Sequence, residues 1–279
     1  MTAVAAETTL EVQRTDPGTN EGRPPTVAMV LAGLAAIFFV APLGGLLWRA
    51  PWSGLTSILG EREVAQAIWL SLVCSVAAAA ISVALGIPLA WVLARYAFPG
   101  RTLLRALISL PMVLPPVVGG VALLIAFGRN GVLGIWLDRW LGLTLPFTTP
   151  GVILAETFVA MPFLVITAEA GFRAADHRLE KAARSFGARP WTVFRRVTLP
   201  IAWPALAAGA VLSWARAIGE FGASITFAGN FPGRTQTVPL KVYLLLETDP
   251  QAAVVLSLVL LLISLAVLVG LRSRWLGSA

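Results

Sequence analysis

The chain has one cysteine, Cys74, one histidine, His177, and only 14 acidic residues in 279. A lone cysteine makes no intrachain disulfide, and nothing here has the spacing of a metal-ligand cluster. Cys74 lies in an apolar run and reads as a small buried hydrophobe. The sequence also lacks a phosphate-cradling glycine-rich loop with lysine and any nucleophile–base constellation. These absences argue against an enzyme and against a cofactor or metal bound by this chain. Charge is scarce as well, at 13% of residues, where a soluble domain carries about 25%. With 57% hydrophobic residues and a mean hydropathy of +0.82, the chain is an integral membrane protein. Its net charge of +7 would suit a nucleic acid, but the basic residues sit at the ends of apolar runs. The partner they fit is the lipid bilayer.

Residues 1–25 are polar, hold Pro and Gly, and show no apolar periodicity. They read as a disordered cytoplasmic tail. The rest, 26–279, reads as one transmembrane domain without internal repeats. A helix needs about 20 apolar residues to cross the hydrocarbon. Six spans meet that length, roughly Thr26–Trp48, Ala65–Ala94, Leu107–Phe127, Thr149–Gly171, Ile201–Ala223 and Ala252–Leu271. The first follows no clear cleavage site and is taken as a retained anchor. The third carries Pro111, Pro115, Pro116, Gly119 and Gly120, so a kink is expected there, with its freed backbone groups satisfied inside the protein. Lys and Arg favour the segments that are inside when both termini are cytoplasmic. Seven lie between Arg173 and Arg196 alone, and that bias sets the orientation.

The loop after span four, about 172–200, is the most informative stretch. Leu179, Ala182, Ala183 and Phe186 recur at i, i+3, i+4 and i+7, one face of a helix. Gly187 follows where a left-handed cap would end it. Pro190 suits the first turn of a second helix, with Val193, Phe194 and Val197 as its apolar face, and Pro200 closes the loop as span five begins. The alanine pair permits a partner to approach, with Phe186 as a knob. A basic amphipathic helix lying on lipid headgroups fits the same pattern.

Residues 176–200, "DHRLEKAARSFGARPWTVFRRVTLP", resemble the cytoplasmic loop of permease subunits of bacterial ABC importers. That loop reads Glu-Ala-Ala, three residues, Gly, nine residues, then Ile-x-Leu-Pro. Ala182, Ala183, Gly187, Leu199 and Pro200 fall on the motif. Val197 replaces the isoleucine, and Lys181 stands at the glutamate position, with Glu180 one place earlier. The family's glutamate ion pair is therefore in question here, whereas the docking fold is not. "FPG" at 98–100, "LPMVLPPVVGG" at 110–120, "GRNGVLG" at 128–134 and "ARAIGEFGASITFAGNFPGRTQTVP" at 215–239 resemble molybdate permeases and, more distantly, sulfate permeases. The resemblance covers roughly residues 65–271.

It implies an all-α, six-helix permease of type I importer architecture in the bacterial inner membrane. An extracytoplasmic binding protein would capture a tetrahedral oxyanion, two copies of the chain would form the pore, and two ATPase subunits would bind ATP and magnesium. Their motion would reach the membrane through a coupling helix in the loop, with Leu179, Lys181, Ala182, Ala183, Phe186, Gly187, Leu199 and Pro200 as its residues. The expected function is alternating-access import of molybdate, with sulfate or tungstate as alternatives.

Arg216 and Glu220 lie one helical turn apart in "WARAIGEFGAS", and charges within an apolar span usually have a function. With span five running outward, both fall in its outer half. Arg before Glu is the poorer order for an i,i+4 pair on one helix. Either Arg216 faces the pathway and offsets the charge of a passing dianion, or the two residues bridge helices and hold an outer gate. Glu156 lies at a depth to meet Arg216 from span four, and Glu169 is expected to be solvated near the cytoplasmic surface. Gly219 and Gly222 serve either close helix approach or flexibility at a gate. Pro115 and Pro116 either break span three beside the pathway or kink it for packing. His177 is not expected to be catalytic. An ion-coupled secondary transporter is the competing class, but such folds often show internal repeats and midplane carboxylates, which this sequence lacks.

Overall fold

The computed structural model describes residues 25–275, and residues 1–24, where the sequence places a disordered tail, lie outside them. All regular elements among the described residues are helical. The chain divides into two units, Met1–Trp48 and Arg49–Ala279. The described part of the first is essentially helix α1 (Thr26–Trp48), a 23-residue apolar run with no buried residue. Its length is that of a single membrane crossing.

The second unit is built on three long helices: α3 (Arg62–Arg95), α7 (Thr149–Ala174) and α10 (Leu199–Ile218). A 3₁₀ turn (Trp52–Gly54) and the short α2 (Leu55–Gly60) precede α3. α3 has 34 residues, which at about 1.5 Å each gives about 51 Å, well beyond a hydrocarbon core of about 30 Å. It therefore projects past the bilayer, and its last residue, Arg95, reaches the cytoplasmic loop. The three helices meet over small side chains. Ala78 of α3, Ala160 of α7 and Ala217 of α10 form one buried contact. Towards the cytoplasm Ala90, Leu93, Val165, Ala168, Phe172, Phe194, Ala202 and Leu206 form one core cluster. Alanine at these crossings lets the backbones approach closely, which suits packing where lipid offers no hydrophobic driving force. α7 is the most enclosed span.

Span three is not one helix. It divides into α4 (Arg101–Val113) and α5 (Pro116–Phe127). Leu114 (ψ 139°) and Pro115 (ψ 131°) between them are extended, because each precedes a proline whose ring excludes the helical conformation. Span five is also divided. α10 stops at Ile218, three residues follow, and α11 (Gly222–Ala228) restarts the helix. The sequence reading ran this span unbroken to Ala223, and the break is a correction to it. The last span is α13 (Pro250–Trp275). Two further helices lie on the outer side: α6 (Gly134–Leu141) and α12 (Val238–Thr248). α12 packs Val238 against Val64, Ala67 and Leu256. Among the described residues five helices are long and apolar enough to cross a membrane, and α4 with α5 supplies the sixth crossing.

Candidate functional site

The cytoplasmic loop forms α8 (His177–Ser185) and α9 (Pro190–Val193). Asp176 caps the first, its Oδ1 accepting from the Arg178 N–H at 2.8 Å. Gly187 closes it in the left-handed region, φ 81°, and the Ala188 N–H donates to the Ala183 carbonyl at 3.1 Å, a Schellman closure. Pro190 starts α9. Pro200 does not end the segment, however. α9 runs on through a π turn (Phe194–Thr198) into α10. A proline inside a helix lacks the N–H for the i−4 carbonyl and collides with it. Widening the turn relieves this: the Leu199 N–H reaches back to the Phe194 carbonyl. The loop is therefore continuous with span five.

The inner face of the loop is tied down by Glu180. Its Oε1 accepts from Arg95 Nη2 at 2.6 Å and from Thr198 Oγ1 at 2.9 Å. Arg95 also reaches the Ala175 carbonyl at 3.5 Å and donates through Nη1 to His177 Nε2 at 2.7 Å. One buried ion pair thus joins the end of α3, the inner face of α8 and the turn that opens α10. Phe194 packs beside it against Trp91, Trp191 and Phe172. The outer face has no cover among the described residues. Leu179 is half-exposed and Phe186 is 91% exposed. Lys181 and Ala182 are exposed, and Ala183 is partly covered. Lys181 therefore points away from the site its neighbour occupies. Leu199 packs against the core and Pro200 is exposed.

The second candidate region lies where the two divided spans meet. Arg216 Nη2 is 2.6 Å from Glu220 Oε2, with the arginine side chain 27% exposed and the glutamate 1%. Glu220 Oε1 accepts from the Ala223 N–H at 2.8 Å. Glu220 is not inside a helix but in the gap between α10 and α11. That removes the objection that Arg before Glu is a poor order. The cation lies in the last turn of one helix and the anion before the first turn of the next, and each end dipole favours that charge. Gly222 opens α11 against Pro116, which opens α5, so closely that a Cβ on the glycine would lie 2.5 Å from the proline's Cβ. Pro115 precedes it as the residue before α5. Gly219, in contrast, has only the Ala215 carbonyl within 4 Å of such a Cβ, at 3.8 Å. Arg216, Glu220, Gly222, Pro115 and Pro116 are thus gathered at one crossing of broken helices.

Two carboxylates depart from the sequence reading. Glu156 does not meet Arg216, whose ion-pair partner is Glu220. Glu156 is 1% exposed, and its Oε2 has no hydrogen-bond partner among the described residues. Glu169 is buried rather than solvated, and its Oε1 takes N–H groups from Arg105 at 2.8 and 2.5 Å and from Arg173 at 2.7 Å. A carboxylate facing the core from α7 needs such partners. The i,i+4 spacing of Glu169 and Arg173 is a signal in the sequence that could have pointed to its ion pair, though not to its burial. No sequence spacing pointed to the Glu180–Arg95 pair, 85 residues apart.

A family model described as binding-protein-dependent transport system inner membrane component matches residues 82–278. The chain belongs to this family. The permease is 45% identical over 257 residues to the molybdenum transport system permease protein ModB of Mycobacterium tuberculosis, spanning 90% of this chain and 96% of that protein. It is 38% identical over 216 residues to the sulfate transport system permease protein CysW of Escherichia coli K12, spanning 76% of this chain and 74% of that one. Among solved structures, a bacterial ABC transporter that imports the acidic polysaccharide alginate has a chain with TM-score 0.70 and 18% identity, spanning 89% of this chain and 94% of its own. That likeness carries the fold. The family and the apolar helices make the permease a multi-pass protein of the bacterial inner membrane.

Proposed function

We propose that the chain is the pore subunit of an ATP-driven importer that carries molybdate into the cytoplasm by alternating access. The observation that carries this is the 45% identity to a molybdenum permease over 90% of the chain. Sulfate stands behind it, since identity to the sulfate permease falls to 38% over 76%. Molybdate and sulfate are both tetrahedral dianions. The family is binding-protein-dependent, so an extracytoplasmic protein delivers the anion.

The energy source is a separate ATPase with ATP and magnesium, and its seat is the exposed face of Leu179, Ala182, Ala183 and Phe186. A face with a 91% exposed phenylalanine, on a loop rigidly tied by Glu180 to two spans, suits a partner that pushes and pulls. A second copy of the chain completes the pore. The crossing of broken helices at Pro116 and Gly222 is the gate, and Arg216 with Glu220 fixes one of its states. Measurement of uptake by the complete complex in vesicles, with its binding protein and competing anions, tests the assignment. Excess tungstate should compete with radiolabelled molybdate and excess sulfate should not. Equal competition by sulfate would replace molybdate in this reading.

A further inference from the structure

A cavity of about 320 Å³ lies among α3, α4 and α7, with Leu93, Ile108, Val165 and Ile166 as apolar walls. Its polar lining is Arg105 and Ser109 from α4 and Glu169 and Arg173 from α7. Each pair is one turn apart on its helix, which puts both members on one face. Glu169 Oε1 gathers both guanidinium groups, and Arg105 Nη2 also donates to the Leu93 carbonyl at 2.9 Å. An arginine has five N–H donors. Arg105 Nη1, and Arg173 Nε and Nη1, have no hydrogen-bond partner among the described residues. Two cations against one carboxylate leave the pocket at +1.

We propose that Arg105, Ser109 and Arg173 form a binding site for a tetrahedral oxyanion group at the cytoplasmic end of the permease. Guanidinium forks match such oxygens two at a time. Glu169 holds both forks in place when the site is empty and limits how tightly a dianion is kept, as a site on a transport path requires. Arg105 lies four residues and Ser109 eight from the cytoplasmic end of α4, and Glu169 and Arg173 lie within five of the cytoplasmic end of α7, the side to which the transport reading delivers cargo. Two sources supply this chemistry: the free anion, or the phosphate of a lipid headgroup. The free-anion assignment rests on the transport reading above.

The test uses the whole complex in discs of phosphatidylcholine alone, without nucleotide or binding protein, and radiolabelled molybdate as the probe. Arg173 is half-exposed, so Arg173→Gln is compatible with folding, and Ser109→Ala is the milder companion. With the free anion as occupant, Arg173→Gln weakens molybdate binding about tenfold or more, the equivalent of losing about 1.4 kcal/mol, and Arg173→Lys recovers part of it. With a headgroup as occupant, Arg173→Gln leaves molybdate binding alone but strips anionic phospholipid that purifies with the wild type. If neither molybdate binding nor retained lipid changes, the site is overturned. Wild-type ATP-driven uptake of molybdate in parallel vesicles reads the transport assignment separately. Its absence would sink that assignment without altering the binding comparison.

Discussion

Glu180 and Arg95, 85 positions apart, form a buried ion pair at 2.6 Å that fastens the cytoplasmic loop to the end of α3. Lys181 stands where the importer loop that this stretch resembles has glutamate. The carboxylate of this chain is one residue earlier, at Glu180, on the inner face of α8. A shift of one residue rotates a side chain by about 100° on a helix of 3.6 residues per turn. Positions 180 and 181 therefore face different sides of α8, the first buried and the second exposed.

Glu180→Gln leaves the Arg95 charge buried without its partner. Breaking one side of a buried pair costs about 3–5 kcal/mol. A lower unfolding temperature of the purified complex is expected, together with less uptake per ATP hydrolysed. Adding Lys181→Glu should not restore either, because position 181 is exposed. Rescue by the double variant would show that the two positions are interchangeable and contradict the anchoring role.

Gly222→Ala forces a Cβ to within 2.5 Å of Pro116. Overpacking of this kind costs about 1–3 kcal/mol. Thermal unfolding of the purified permease should register the loss, and Gly219→Ala, where a Cβ meets only the Ala215 carbonyl at 3.8 Å, should have a much smaller effect. Equal effects at both positions would mean that the crossing of α5 and α11 is not tight.

Arg216→Gln removes the cation that offsets the buried Glu220 carboxylate. Uptake should fall while the complex still assembles, since Glu220 keeps its hydrogen bond to the Ala223 N–H. Normal uptake at normal expression would exclude both a gating and a pathway role for this arginine.

Much of this was legible in the sequence, for physical reasons. The spans showed because apolar length is a direct demand of the bilayer. The bend at Gly187 and the start at Pro190 showed because each residue has a restricted backbone preference. The separation of α4 from α5 was half-legible: consecutive prolines foretold a distortion, and the structure makes it a full break. The gap after Ile218 was missed, because Gly219 is tolerated inside helices and the hydropathy continues unbroken past it. Arg216 and Glu220 held the clue, since their order suits two helix ends better than one helix. The Glu180–Arg95 pair was not legible, because nothing local links the end of α3 to α8. Glu169 looked solvated from its depth alone, and only the packing of α4 against α7 shows it enclosed.

The most direct test of coupling through α8 is ATP hydrolysis and molybdate uptake followed together in vesicles containing the complete complex with Phe186→Asp. The side chain is 91% exposed in the chain alone, so the permease itself should fold normally. Seating a charge in an apolar cleft costs several kcal/mol, about 2–7 for an unpaired polar group and more for a full charge. Uptake per ATP should fall about tenfold or more while the ATPase still hydrolyses nucleotide. Full ATP-driven uptake by this variant would contradict docking at Phe186 and, with it, the route proposed from ATPase to pore.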